Sequence, residues 1–200
     1  MLIFDIGANA GLYTFPWLQD GHEVYAFEPL PYRYDFLKSK EKEFPNLKVF
    51  NFAIGLESGT KEFYINDPDV TSSLKKFNDT NLILYPEISK NTEIIKVECI
   101  KAAEFIRKNE LIGKTIDLVK IDTQGAEFEV INSFEEFVKN IREIRCEAFL
   151  TTKDKDLYEN EGKAGEIINY LEDLGFYLVG EEIEQNSRWC DMVFKNSKFD

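Results

Sequence analysis

Little in this chain would suit a membrane, an oxidising compartment or a nucleic acid. No stretch approaches the ~20 apolar residues a membrane-crossing helix needs. The start lacks the basic segment, apolar run and small-residue cleavage site of a secretory leader. The three cysteines, Cys99, Cys146 and Cys190, are odd in number, scattered and flanked by apolar residues. That pattern argues for reduced core thiols and against a disulfide framework or a metal cluster. Positive charge is also scarce: 24 Lys and Arg against 37 Asp and Glu leave a net charge of −13. Such a surface repels phosphate backbones, and the compact basic clusters, Lys75-Lys76 and Lys153/Lys155, are small. The expectation is a cytoplasmic protein with neither membrane nor nucleic acid as partner, and no feature fixes its oligomeric state. Internal repeats and low-complexity tracts are lacking too.

What is present is enough for a well-buried core. The 200 residues are 44% apolar and include 17 Phe, which suits one domain spanning 1–200. In order, Leu2 to Ile6 is an apolar strand followed by a small-residue turn closed by Gly11. Leu12 to about Asp20 reads as a helix restricted by Pro16, and Glu23 to Phe27 as a strand ending at Glu28-Pro29. Pro31 starts a second helix that Pro45 stops, and Leu47 to Ile54 reads as a third strand. This alternation predicts an α/β fold with a doubly wound, mostly parallel sheet.

The second half continues less regularly. Thr60 to Ile65 and Glu93 to Ile100 read as strands separated by a loop or lid at about 66–92, within which Tyr85 and Pro86 look like loop packing. Ala102 to Lys108 is a short helix, Asp117 to Ile121 a buried strand delivering Asp122, and Glu127 to Asn132 a helix. Ser133-Phe134-Glu135-Glu136 has the form of a capping box for a further short helix. Glu143 to Leu150 is a strand, and Ala164 to Leu174 keep helical spacing up to Gly175. Phe176 to Val179 and Trp189 to Phe194 are expected to pair as an antiparallel hairpin across Glu182 to Arg188.

In such a sheet, ligands bind beyond the carboxyl ends of the strands, where the strand order reverses. Asp5 to Gly11, Glu28, Ile54-Gly55, Asp122 to Gln124 and Glu147 to Thr151 fall at that edge. His22, the one histidine, falls at the opposite edge. Glu28 follows Gly11 by 17 residues, where an acid can accept ribose hydroxyls of a nucleoside ligand; alternatively it caps the following helix. The turn reads Asp5-x-Gly7-x-x-x-Gly11, with Asn9 where a dinucleotide fingerprint has its middle glycine. A leading carboxylate faces a pyrophosphate badly but suits a cationic ligand with an amino group. That favours S-adenosylmethionine over a nicotinamide dinucleotide.

Three motifs resemble those of the FkbM-type methyltransferases, in that family's order: Phe4-Asp5-Ile6-Gly7-Ala8-Asn9-Ala10-Gly11, Ala26-Phe27-Glu28-Pro29-x-Pro31 and Val119-Lys120-Ile121-Asp122-Thr123-Gln124-Gly125-Ala126-Glu127. The resemblance runs from Ile3 to about Phe194. It implies a seven-stranded sheet in the order 3-2-1-4-5-7-6 with the last strand antiparallel. It also implies methyl transfer from S-adenosylmethionine, typically to a hydroxyl. Carried over, Asp5, Gly7, Asn9 and Gly11, with Ala8 between them, hold the methionine end. Glu28 and the adjoining Pro29 hold the ribose, while Ala53 and Ile54 lie near the adenine. Family members usually carry residues ahead of the first strand that help cover the cofactor; here that strand begins at residue 2.

Transfer to a hydroxyl needs an aligned acceptor and a base. Asp122, beside the cofactor turn, is the first candidate; its bland alternative is to hydrogen-bond the turn at Gly125. Glu147, near the end of the adjacent strand, is a second carboxylate facing the pocket, or else a structural partner of Lys120 or Arg145. Two carboxylates alone leave a metal without a third ligand, so none is expected. Glu127 reads as a helix-start acid. Ser72 and Ser73 in the middle loop, and Arg188 and Trp189 at the start of the last strand, are the candidates for touching a small-molecule or glycan acceptor. An NAD(P)-dependent oxidoreductase and a cofactor-binding module without catalysis are the competing readings.

Overall fold

The computed structural model describes residues 1–78, 83, 90–150, 156–182 and 188–200, with backbone only at 90–92 and 181–182. The middle of the expected lid with Tyr85 and Pro86, Thr151, Lys153, Lys155 and most of the last hairpin's turn fall outside the described residues.

β1 (Leu2–Ile6), α1 (Thr14–Gln19), β2 (Glu23–Phe27), α2 (Pro31–Lys40) and β3 (Leu47–Phe50) form the first half. β4 (Ala53–Ile54), β5 (Gly59–Asp67) and β6 (Lys90–Ile100) follow, then α3 (Ala102–Lys108) and β7 (Ile116–Ile121). The chain ends with α4 (Glu127–Asn132), β8 (Ile141–Phe149), α5 (Ala164–Asp173), β9 (Phe176–Glu182) and β10 (Trp189–Asn196). The main sheet runs β3-β2-β1-β7-β8-β10-β9. Numbering only its own strands, that is the expected order 3-2-1-4-5-7-6. β10 is antiparallel to both neighbours, and the remaining pairs are parallel. The strand order reverses between β1 and β7, so the switch point opens there.

β1 is apolar on both faces because it is covered on both. Phe4 and Ile6 face α3, α4 and α5, together with Val119, Ile121 and Ile144; Ile3 faces α1 and α2 with Val24, Ala26 and Leu118. Pro16 falls in the first turn of α1, where an N–H has no intrahelical partner to lose. Pro31 opens α2 at its first turn, but the helix ends at Lys40, and Phe44 packs on the core from the turn that follows.

Three expectations change. Leu47 to Ile54 is not one strand: Asn51 turns its side-chain amide onto the carbonyls of Glu28 (3.0 Å) and Pro29 (3.2 Å), and the chain leaves the main sheet there. β4 then enters a second sheet in the order β4-β6-β5, so Asn66, Asp67 and residues 90–92, assigned to the loop from sequence, are strand. Ser133 starts no capping box. Its hydroxyl donates to the Val130 carbonyl at 2.7 Å and accepts the Ala102 N–H at 3.2 Å, tying α4 to α3, while 135–140 form a 3-10 turn.

Candidate active site

The cleft at the switch point depends on a close approach of two strand ends. Gly7 has φ +81°, and a Cβ there would lie 1.9 Å from the Asp122 carbonyl oxygen, so only glycine lets the turn after β1 run against the end of β7. The Gly7 and Ala8 N–H groups donate to the Phe27 carbonyl, at 3.1 and 3.2 Å. Asn9 takes φ 45°, and its N–H donates to Glu28 Oε2 at 2.6 Å. Leu30 N–H, at the start of α2, donates to Glu28 Oε1 at 2.8 Å. Glu28 is thus the clasp between the β1 and β2 turns, and burial lifts its pKa to about 7 despite those two donors. Two acceptor oxygens with one bond each retain free lone pairs.

These residues line a cavity of about 370 Å³. Gly7 to Ala10, Leu12, Tyr13 and Glu28 to Leu30 form one side, Ala53, Ile54, Phe63, Ser72 and Leu74 another, and Lys120, Asp122, Thr123 and Gln124 the floor. Asp5 and Gly11 differ from expectation, since neither is among the lining residues. Asp5 is buried, with Oδ2 accepting the Thr14 hydroxyl at 2.5 Å. Its Oδ1 makes no hydrogen bond and stands 3.7 Å from Lys120 Nζ. Burial raises its pKa, against the pull of Lys120 and Thr14. Gly11 has φ +81° and no space for a Cβ, which would meet the Phe15 ring at 2.6 Å. Both residues shape the cradle from beneath.

Lys120, expected only as a structural partner of Glu147, has its ammonium on the cavity floor. It lies 3.3 Å from Asp122 Oδ2, 3.5 Å from the Gly7 carbonyl oxygen and 5.0 Å from the Tyr13 ring centroid. Burial pulls its pKa down, but Asp122 and Asp5 outweigh burial and the net shift is upward. It is a fixed positive charge, not a base.

A second cavity of about 330 Å³ adjoins the first and shares Val70, Asp122 and Gln124 with it. Its other walls are mainly aromatic and apolar: Phe77, Phe149, Leu157, Tyr158 and Trp189, with Glu147 alongside. Gln124 Nε2 donates to Asp122 Oδ1 at 2.8 Å and to Glu147 Oε2 at 2.9 Å. Burial, then the neighbouring Asp122, push the Glu147 carboxyl well above the usual range. The partners weighed from sequence are engaged elsewhere: Arg145 pairs with Glu143 at 2.7 Å, and Lys120 with Asp5 and Asp122. Nor does Asp122 hold the turn at Gly125. Glu127 does so, accepting from Thr123 N–H at 2.8 Å and from Gly125 N–H at 2.9 Å. Burial lifts the Glu127 pKa to about 7.

The residues expected to meet the acceptor separate. Trp189 lines the second cavity and Ser72 the first, where its hydroxyl accepts the Asn66 N–H at 3.0 Å. Ser73 is fully buried and lines neither; its hydroxyl lies 3.0 Å from the Thr123 carbonyl oxygen and 2.8 Å from that of Gln124. It moors the middle segment to the turn after β7. Arg188 lines neither cavity, and its carbonyl accepts the Leu150 N–H at 2.8 Å. Between the cavities, residues 69–71 form a 3-10 turn held by Asp69, which pairs with Arg33 at 2.6 Å and accepts from Tyr32 at 2.7 Å. Tyr158, for which the sequence carries no local signal, places its hydroxyl 3.0 Å from the Thr71 carbonyl oxygen and 3.1 Å from Gln124 Oε1. His22 stays in the turn before β2, away from this edge.

The same arrangement of elements occurs in solved structures. One is a magnesium protoporphyrin IX methyltransferase from Synechocystis PCC 6803 with bound SAM (TM-score 0.51, 13% identity, 98% of this chain and 70% of that one). A SAM dependent methyltransferase from Aquifex aeolicus is similar at TM-score 0.50 and 13% identity, over 98% of this chain and 81% of that one. A protein in the NADB-Rossmann superfamily from Streptococcus agalactiae is similar at TM-score 0.53 and 12% identity, over 97% and 61%. At these identities the likeness is one of fold. No curated protein matches the chain. The family model for the methyltransferase FkbM domain matches residues 5–178, from the first cradle residue into β9. The chain therefore belongs to the FkbM family of S-adenosylmethionine-dependent methyltransferases.

Proposed function

We propose that this chain transfers a methyl group from S-adenosylmethionine to a hydroxyl of a small-molecule or glycan acceptor, with the donor in the first cavity and the acceptor in the second. The observation that carries this reading is that the two cavities meet at a shared wall containing Asp122. The first cavity's groups fit the donor end to end. Ile54, Phe63 and Leu74 offer apolar surface for an adenine, and Glu28 offers free lone pairs for ribose hydroxyls. Lys120 offers a positive charge for an α-carboxylate. When bound, the donor supplies a methyl carbon on a sulfonium, which an acceptor oxygen takes as the S–C bond breaks.

The chain's own residues then position the acceptor and move one proton. Asp122 is the base: its carboxylate, held between Lys120 and Gln124, takes the proton of the acceptor hydroxyl as the new O–C bond forms. Glu147, with its raised pKa, stays protonated to higher pH and serves as a hydrogen-bond donor in the acceptor cavity. Val70, Pro68 and the aromatic walls give the junction apolar surface. The test is transfer of labelled methyl from S-adenosylmethionine to a panel of hydroxylated rings, sugars and phenols. Product in the wild type and a loss of ~10²-fold or more in Asp122→Asn, with donor affinity kept, is the expected result. An Asp122→Asn enzyme turning over at the wild-type rate would overturn the base assignment.

A further inference from the structure

The Gln124 side chain makes three hydrogen bonds at the junction of the two cavities, and the chain adopts an unfavourable backbone to place it there. Its φ is +58°, a left-handed conformation that costs a non-glycine residue ~1 kcal/mol or more. The conformation is held from outside: the buried Ser73 hydroxyl bonds the Thr123 and Gln124 carbonyls, and Glu127 grips the N–H groups on either side. The side chain that results lines both cavities.

Its amide orientation is determined by its neighbours. Asp122 Oδ1 and Glu147 Oε2 both act as acceptors here, so Nε2 faces them at 2.8 and 2.9 Å. Oε1 is left to face the Tyr158 hydroxyl at 3.1 Å. Two acids that would otherwise share one site are thus kept apart by a neutral group that donates to both.

We propose that Gln124 is a positioning residue for the transfer reaction: its amide holds Asp122 and Glu147 in fixed, unequal roles, one collecting the acceptor's proton and the other retaining its own. This rests on the reading of Asp122 as base. The Tyr158 hydroxyl, which reaches both Gln124 Oε1 and the Thr71 carbonyl, sets the orientation of the amide and links it to the 69–71 turn. The charged and titratable groups facing the pair are Asp5 on β1, Lys120 on β7, Glu127 on α4 and Arg145 on β8. Among the described residues, Asp191 on β10, Cys146 on β8, Tyr13 ahead of α1 and Tyr158 also face it.

The test is a carboxyl ¹³C NMR titration of the full chain, labelled at Asp and Glu, with Asp122→Asn and Glu147→Gln assigning the two signals. Removing a donor to an ionised carboxylate raises its pKa. Gln124→Ala is therefore expected to move both midpoints upward by about one pH unit or more. Tyr158→Phe, which frees the amide to turn over, is expected to move Glu147 in the same direction by less. A purely structural role would lower thermal stability and leave both midpoints in place, and midpoints unchanged in both variants would overturn the proposal. Calorimetry with S-adenosylmethionine on the wild type tests the underlying donor reading separately: no binding there, with the midpoints moving, would sink that reading and leave the contact network standing.

Discussion

At the scale of single residues, the cleft sets a buried acid, Glu28, beside a partly exposed one, Asp122. Glu28 has a pKa lifted to about 7, yet a ribose hydroxyl needs the ionised form as acceptor. If the donor binds only that form, its apparent affinity at pH 6 falls about tenfold below that at pH 8. Calorimetry at the two pH values checks this, and Glu28→Gln is expected to bind weakly at both with no such dependence. Gly7→Ala is expected to lose donor binding and to destabilise the fold. The left-handed conformation alone costs ~1–2 kcal/mol, and the added Cβ drives into the Asp122 carbonyl; a thermal melt with a donor titration measures both. Placement was legible in advance where motif spacing fixes it: Gly7, Asn9, Glu28 and Asp122 all line the first cavity. That of Asp5 and Ser73 was not, because spacing brings a polar side chain to an edge without showing whether its oxygens are already bonded. Thr14 and Lys120 claim the first, and two backbone carbonyls the second.

At the scale of elements, α3 is anchored by one ring. Phe105 packs on Phe4, Phe27 and Phe50, with centroids at 5.8, 4.9 and 4.8 Å, so it joins the helix to three strands. Phe105→Ala is expected to cost ~3–5 kcal/mol by urea denaturation, since that junction is close-packed on all sides. The 69–71 turn is held differently, by Asp69 against Arg33 and Tyr32, in a partly exposed ion pair whose net worth is small. Arg33→Ala is therefore expected to leave stability nearly unchanged while weakening donor binding several-fold, because Asp69 and Val70 line the donor cavity. The strands of the main sheet could be read from apolar runs bounded by turns. The second sheet could not: β4 is two residues long, and periodicity does not say which partner a strand takes. Asn51, which ends β3 by bonding the turn after β2, is a tertiary cause with no local signature.

At the scale of the whole molecule, the net charge and the buried acids act together. Glu28 and Glu127 are both raised to about 7, so between pH 4.5 and 7 the folded chain holds protons that the unfolded chain releases. Their stabilisation is complete below the unfolded value and is lost as pH rises through about 7, so the ligand-free protein is expected to melt lower at pH 8 than at pH 5.5. For a chain of this length each kcal/mol lost lowers Tm by about 2–4 °C, and Glu127→Gln should flatten the curve.

The central claim, that the cleft between β1 and β7 is a cradle for a cationic adenosyl donor, is tested most directly by calorimetric titration at pH 8. The account predicts one-to-one, saturable binding of S-adenosylmethionine that Glu28→Ala weakens about tenfold or more, with no comparable binding of NAD. Tight NAD binding without S-adenosylmethionine binding, or donor affinity unchanged in Glu28→Ala, would contradict it.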